Sequence, residues 1–445
     1  MVKWKLCLGT GLLAACCFSA GAFAAGHVED VEAISQVYGD GEKLAEVQLR
    51  YDTDLLGSSV TAEDYAVPGR TVAKAFVSAV PYGKAAEKGR YVQVELEPLP
   101  LSDQMVDPHP EDKHKAPVGV GGPQLGSHGN PQPLVPVTAK ISQKGLVKTA
   151  EGRLYGGEPE MSSSHTRQLL IEKFTQHTFT DQDGKKLQYN LYVPEKLEKG
   201  KVYPLVLFMH DAGTVSCPCW TPSPRRRVLF MHDAGTVSPE VKATLSQGRG
   251  AVTWVEPEWQ KEHPCFVLAP QYDTVIVNDQ YQYGPELDRT IHLVESLSSQ
   301  YPIDTQRIYN TGQSMGCMTS IAMDVKYPDF FGASYLVAGK WNPRVTAPLA
   351  RQNIWAVAAA GDPGAKPSMD TIMAQLDASG DRVIRGTIAQ DAPETQVDQL
   401  TEQMIQPGVH AYYLLYQGGS HRSTWQHAYD ITPVKEWIFG QKKGA

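Results

Sequence analysis

The stretch RIYNTGQSMGCMTSIAM, residues 307–323, constrains this chain more than any other. Ile308 and Tyr309 favour a strand, Gly312 and Gly316 flank Ser314 at two residues on each side, and Met318, Ile321, Ala322 and Val325 recur at helical spacing. A strand that turns sharply into a helix with a serine at its apex needs glycines there, because a Cβ two positions away would collide with the neighbouring turn. Such a turn presents the hydroxyl at a sheet edge, which makes Ser314 the candidate nucleophile. The amide of Met315, at the helix start, points where an oxyanion would form.

From residue 169 the grammar is strand alternating with helix. Strands are expected at 171–180 and 185–193, joined by the turn Asp183-Gly184, then at 202–209, which ends in His210-Asp211-Ala212-Gly213. Further strands are expected at 265–269, 333–338, 354–359 and 411–416, with a helix at 285–301 and a closing helix at 432–439. That repetition demands an α/β fold with a mostly parallel sheet and helices on both faces. Ahead of it lie short alternating segments, AEVQLRY (45–51), TVAKAFVSA (71–79) and RYVQVEL (90–96), separated by Gly39, Gly41, Pro68, Gly69, Pro81 and Gly83. These predict a small antiparallel β-sandwich. It contains no serine, histidine and acid arrangement, so support, oligomer contact or substrate capture is its expected role. Residues 98–157 are rich in Pro and Gly, with 135–141 as a last sandwich strand. The resulting division is a sandwich with a long loop at 27–145, a linker at 146–168 and the α/β domain at 169–442.

Residues 1–24 have the pattern of a secretory signal: Lys3 and Lys5, an apolar run over 6–18, and Ala22-Phe23-Ala24 before Ala25. The run is too short to span a bilayer, so no transmembrane segment is expected. Secretion or export to a periplasm follows, with lipidation of Cys16 after Leu13-Ala14-Ala15, which resembles the bacterial lipobox, as the alternative. The formal net charge is −8, and loss of the two lysines with the signal makes it −10. Nucleic acid is therefore not an expected partner. Cys217, Cys219, Cys265 and Cys317 remain after the signal, too few for a disulfide scaffold in so long a chain. Cys265 and Cys317 fall on different core elements, where a buried free thiol is expected. His109 and His114, near Asp107, Glu111 and Asp112, lie on a Pro-rich loop that lacks the fixed geometry of a metal site.

One feature breaks the pattern. VLFMHDAGTVS occurs at 206–216 and again at 228–238, identical over eleven residues. Two copies stack nothing, so this is no solenoid but a duplicated insertion, taken here as 217–238. The first copy is the expected strand, because Val202, Tyr203 and Leu205 lead into it, whereas the second follows Arg225-Arg226-Arg227, whose burial would be costly.

A serine hydroxyl needs a base to take its proton and an acid to orient that base. His421 follows the strand at 411–416 through Gly418-Gly419-Ser420 and is the candidate base. His427, six residues on, is expected inside a helix, and His410 precedes the strand at the wrong end of the sheet. Asp362 follows the strand at 354–359 at the carboxyl end, where sites in open sheets gather, and is preferred to Asp370, which lies deeper in a helix. Trp341 and Trp425 come after strands at the same edge and, with Gln313, are candidate pocket residues, packing being the competing role.

With these residues in place the chain resembles the α/β-hydrolase superfamily over about 174–442. Within it the likeness is to secreted bacterial esterases with an N-terminal immunoglobulin-like domain, related to polyester-depolymerase and feruloyl-esterase-type hydrolases. The resemblance is carried by YPLVLFMH (203–210), FVLAPQ (266–271), Ile303-Asp304 with Arg307-Ile308-Tyr309, residues 312–316, Gly419-Ser420-His421 with Thr424-Trp425, and VQLRYD (47–52) in the sandwich. It implies a serine esterase acting on a small-molecule or polymeric ester, without metal or organic cofactor. Ser314 would attack the acyl carbonyl, His421 would shuttle the proton and Asp362 would hold the imidazole. The amides of Met315, Asp211 and Ala212 would make the oxyanion hole. The sandwich is a candidate homo-oligomer contact. The chain departs from the family where His-Gly usually opens the oxyanion loop: here it is His210-Asp211. The insertion lies just beyond.

Overall fold

A computed structural model describes residues 26–99, 124–128, 136–212 and 240–444. Nine strands form the large sheet, in the spatial order Thr175–Thr180, Lys186–Tyr192, Phe266–Gln271, Tyr203–Met209, Ile303–Gln313, Ala333–Val337, Ile354–Ala359, Ala411–Gln417 and Val383–Ala389. Only Lys186–Tyr192 runs against its two neighbours; every other pairing is parallel.

Strands buried on both faces explain why the central segments read as apolar runs. Leu205, Leu207 and Met209 join one core with Leu287, Ile291, Val294 and Leu297 of the helix Glu286–Gln300. Val206 and Phe208, pointing the opposite way, join the other core with Trp254, Trp259 and Trp425. The same alternation divides Ile354, Ala356 and Ala358 from Trp355, Val357 and Ala359. The first copy of the repeat thus supplies the strand, every residue of Tyr203–Met209 being buried. The second copy lies outside the described residues, as do the signal segment, His109, His114, Cys217 and Cys219.

The N-terminal domain has a five-stranded sheet in the order His165–Gln168, Val28–Tyr38, Gly41–Leu56, Lys88–Leu96 and Val72–Ser78, with smaller sheets completing the sandwich. Here the sequence expectation needs correction. The segment 146–168 is not a linker: it carries Leu146–Lys148, Leu154–Gly156, Met161–Ser162 and His165–Gln168, all paired within this domain. Two- to four-residue strands give too few alternations to be read as strands, and only long-range pairing creates them. The strand expected at 135–141 is Lys140–Gln143, and that expected at 171–180 opens instead with the turn Ile171–Lys173 before Thr175–Thr180.

The two domains share packed surface. Val37 belongs to the same core as Leu245 and Trp425 of the α/β domain, and the turn at Gly39 lies so close to the helix His421–Ala428 that a Cβ there would overlap the Gln426 backbone. From the long loop, Gly126 donates its amide to the Val275 carbonyl at 2.8 Å, and Val275 returns a bond to Ser127 at 2.9 Å. Among the described residues no helix is long and apolar enough to cross a membrane.

Candidate active site

Three loops leave the carboxyl ends of strands Ile303–Gln313, Ile354–Ala359 and Ala411–Gln417, and topology brings them together. The elbow is built as its glycines demand. Ser314 sits at φ 55° and ψ −115°, a left-handed backbone that costs on the order of 1–3 kcal/mol for a residue with a side chain. Its amide donates to the Val337 carbonyl at 3.1 Å, and the helix Met315–Lys326 starts immediately after it. A Cβ on Gly312 would overlap the backbone of Gly316, and one on Gly316 would overlap the carbonyl of Met209. The strain at Ser314 is thus held by backbone packed against backbone.

His421 opens the helix His421–Ala428 and is fixed by the residue before it: Ser420 accepts the Ser423 amide at 3.2 Å, and the Ser423 hydroxyl accepts the Ser420 amide at 2.6 Å. The Trp425 ring lies edge-on to the imidazole, centroids 5.1 Å apart. His421 Nε2 is 2.9 Å from Ser314 Oγ, and its Nδ1 is 2.5 Å from Asp362 Oδ2. Asp362 is buried, and its other oxygen, Oδ1, accepts the amides of Gly364 and Ala365, each at 2.9 Å. Only Oδ2 is thereby turned to the imidazole. Burial alone would raise the Asp362 carboxyl, but the charge and hydrogen bond of His421, with the two amides, outweigh it and hold the group below its usual value. The acid and base loops meet where the Gly361 amide reaches the Gly418 carbonyl at 3.4 Å.

The rejected candidates are placed elsewhere. His427 is half-buried in the same helix with its ring 6.0 Å from that of Tyr416. His410 bonds Asn353 at 2.8 Å, and Asp370 pairs with Lys366 at 2.6 Å.

Fully buried His210 orders the oxyanion loop. Its Nε2 accepts the Tyr272 amide at 3.0 Å, so the ring proton is on Nδ1 and donates to the Asp211 carbonyl at 2.7 Å. Burial pushes the imidazole below its ordinary value, which keeps it neutral in this role. A trans peptide then directs the Ala212 amide away from that carbonyl and from His210. The Asp211 amide, by contrast, is directed to Gln247 Oε1 at 3.3 Å. Asp211 and Ala212, the two residues of this loop expected to offer amides to an oxyanion, are both buried. Gln247 was not singled out from the sequence, because nothing local marks a glutamine 36 residues away as a partner.

The three expected pocket residues are all buried. Gln313 donates to Asp211 Oδ2 at 3.3 Å, Trp341 meets Tyr281 with ring centroids 5.7 Å apart, and Trp425 braces His421. Cys265 and Cys317 are free and buried. Burial raises both thiols, Cys265 to about 12, so neither is a nucleophile at neutral pH. Among the described residues no group of three or more His, Cys, Asp or Glu side chains could hold a metal ion.

Residues 183–430 match the family described as "Putative esterase". The chain belongs to that family. Residues 30–156 of the esterase match a second model, the esterase Ig-like N-terminal domain. A crystal structure of a thermostable esterase is similar in fold at 22% identity, with a TM-score of 0.69, covering 94% of this esterase and 100% of that chain. A feruloyl esterase module from Clostridium thermocellum is 16% identical with a TM-score of 0.37, covering 58% of this chain and 86% of that one. An S-formylglutathione hydrolase from Staphylococcus aureus is 12% identical with a TM-score of 0.36, covering 60% and 98%. No curated protein matches. The chain is an esterase with an Ig-like N-terminal domain and an α/β domain, and its substrate is a small-molecule ester.

Proposed function

We propose that the protein is an exported serine carboxylesterase that hydrolyses short- to medium-chain acyl esters through an acyl-enzyme on Ser314. The observation that carries this is the unbroken chain from Ser314 Oγ through His421 Nε2 and Nδ1 to Asp362 Oδ2, at 2.9 and 2.5 Å. Ser314 Oγ attacks the acyl carbonyl as His421 Nε2 takes its proton, and Asp362 stabilises the imidazolium. The amides of Met315 and Ala212 hold the oxyanion, and His421 returns the proton to the leaving alcohol. Water then repeats the sequence on the acyl-serine and releases the acid. No cofactor enters any step. Export rests on the pattern of residues 1–24.

The test is covalent labelling with an organophosphate, combined with a panel of acyl-chain lengths and aryl esters on wild type and Ser314→Ala. Label on the Ser314 peptide, with activity lost in the variant, is expected. Label elsewhere, or none on folded protein, rejects the mechanism; a preference for aryl or polymeric esters would replace the substrate class and leave the mechanism standing.

A further inference from the structure

Beneath the elbow lies a buried pair that the chemistry above does not use. Asn310 is on the strand Ile303–Gln313 that leads into Ser314, and Asp324 is on the helix Met315–Lys326 that leaves it. Asn310, Asp324 and the neighbouring Ser334 are all buried. Asp324 Oδ1 accepts from Asn310 Nδ2 at 2.8 Å and from Ser334 Oγ at 2.9 Å. Two oxygens are left over: Asp324 Oδ2 and Asn310 Oδ1 are buried with no hydrogen-bond partner among the described residues. Both are acceptors if Asp324 is ionised, and a bare carboxylate oxygen in a core is costly. One proton on Asp324 Oδ2, donated to Asn310 Oδ1, would remove both deficits.

We propose that Asp324 is a carboxylic acid in the folded protein and that its Oδ2–H donates to Asn310 Oδ1, closing a cyclic acid–amide pair that pins the helix of Ser314 to its strand. Ser334 extends the pair to the strand Ala333–Val337, whose Val337 carbonyl accepts the Ser314 amide. The surroundings favour the proton. Burial pushes the Asp324 carboxyl up to about 7 against the opposing hydrogen bonds of Ser334 and Asn310. The facing strands supply those two neutral groups, and Gln352, which also donates to the Pro348 carbonyl, reaches the backbone carbonyl of Asp324 at 3.1 Å and not its carboxyl. Cys317, on the same helix, has its own thiol raised by burial and brings no positive charge. The sign follows. An unfolded aspartate titrates near 3.8, so the stability this proton confers is full below that value and is lost as pH rises through about 7. The pair therefore tightens the elbow on the acid side and loosens it above neutrality, whichever ester is the substrate.

The experiment compares wild type, Asp324→Asn, Asp324→Leu and Asn310→Ala by urea unfolding from about pH 5 to about pH 8 and by infrared difference spectroscopy. Asparagine can make the same ring without a titrating proton. The wild-type midpoint should therefore fall relative to that of Asp324→Asn as pH rises, and the wild type minus Asp324→Asn spectrum should show a protonated-carboxyl C=O band below neutrality. In Asn310→Ala that band should shift as its acceptor is lost. Asp324→Leu should be less stable at every pH; should it fail to fold, the asparagine variant still decides. Absence of the acid band, a midpoint difference independent of pH, or a band unmoved in Asn310→Ala would each overturn the pair.

Discussion

Gly316 lies against Met209 so closely that a Cβ on it would overlap the Met209 carbonyl oxygen. The contact joins the first turn of the helix behind Ser314 to the end of the strand that begins the oxyanion loop. One glycine thus holds together the two segments proposed to supply oxyanion amides, Met315 on one side and Ala212 on the other. Gly316→Ala cannot be relieved by a flexible side chain, because both partners are backbone. We expect it to cost about 1–3 kcal/mol or more in stability and to lower kcat even where the variant folds. Thermal unfolding and steady-state kinetics on one preparation would check this, and a variant with wild-type values in both would show that the strand end gives way freely.

Replacing His421 by Ala should lower kcat by about 10³-fold or more, because Ser314 loses its only bonded base among the described residues. His427→Ala should stay near wild type, its half-buried imidazole lying by Tyr416 rather than bonded to Ser314. Equal losses in the two variants would leave the assignment of the base without support.

Much of this site was legible because its chemistry forces local signatures. The elbow needs Gly312 and Gly316 for steric reasons, and the acid and base each follow an apolar strand buried on both faces, so Ser314, Asp362 and His421 stand out before any folding. What escaped depends on partners distant in sequence. The strand Val383–Ala389 went unread because it is an edge strand with alternating exposure and a glycine at 386, and the helix Glu394–Met404 because it is mostly polar. The short strands within 146–168 exist only as pairings with remote segments. Gln247 and the Asn310 to Asp324 pair are likewise invisible without tertiary structure, since no spacing rule links them to a site.

Acid should act on the site through Asp362. Its folded carboxyl is held below the ordinary value, so the stability it contributes is present above that value and is lost as pH falls through the lower, folded one. Asp362→Asn should flatten this acid limb of the stability curve and lower kcat by about 10⁴-fold at neutral pH, since an amide facing Nδ1 favours the wrong tautomer. Unfolding midpoints at about pH 2 to 5 for both proteins measure the first effect. An unchanged acid limb would mean the carboxyl is not stabilised by the imidazole and the two amides.

Among the described residues the Ig-like domain lends no side chain to the Ser314, His421 and Asp362 chain but does touch the helix His421–Ala428, with Gly39 packed on the Gln426 backbone and Val37 in the same core as Leu245. Gly39→Val should push on the helix whose first residue is His421. We expect kcat to fall more than KM changes, because the base is displaced rather than the binding surface altered. Gly69→Val, at a left-handed turn with no neighbouring atoms within 4 Å, serves as a control for backbone strain in the same domain. Equal effects in the two variants would show that the domain contact has no role in placing His421.

Deleting 217–238 should raise soluble yield and leave activity equal or higher. The strand Tyr203–Met209 takes all its residues from before the deletion, and His210, Asp211 and Ala212 keep their places, so the sheet and the oxyanion loop lose nothing. What goes is Arg225-Arg226-Arg227 with a second VLFMHDAGTVS, an apolar β-prone stretch for which the sheet position is already filled by the first copy. Such a segment is an aggregation hazard in any partly folded chain. The deletion joins Ser216 directly to Pro239, a polar connection that leads on to the helix Ala243–Ser246. The gain should be largest on bulky esters, since residues 217–238 follow His210, Asp211 and Ala212 closely in sequence. Soluble yield, unfolding midpoint and kcat/KM on small and bulky esters would be measured side by side. A deletion variant that folds but loses activity on both would mean that residues 217–238 help form the binding site.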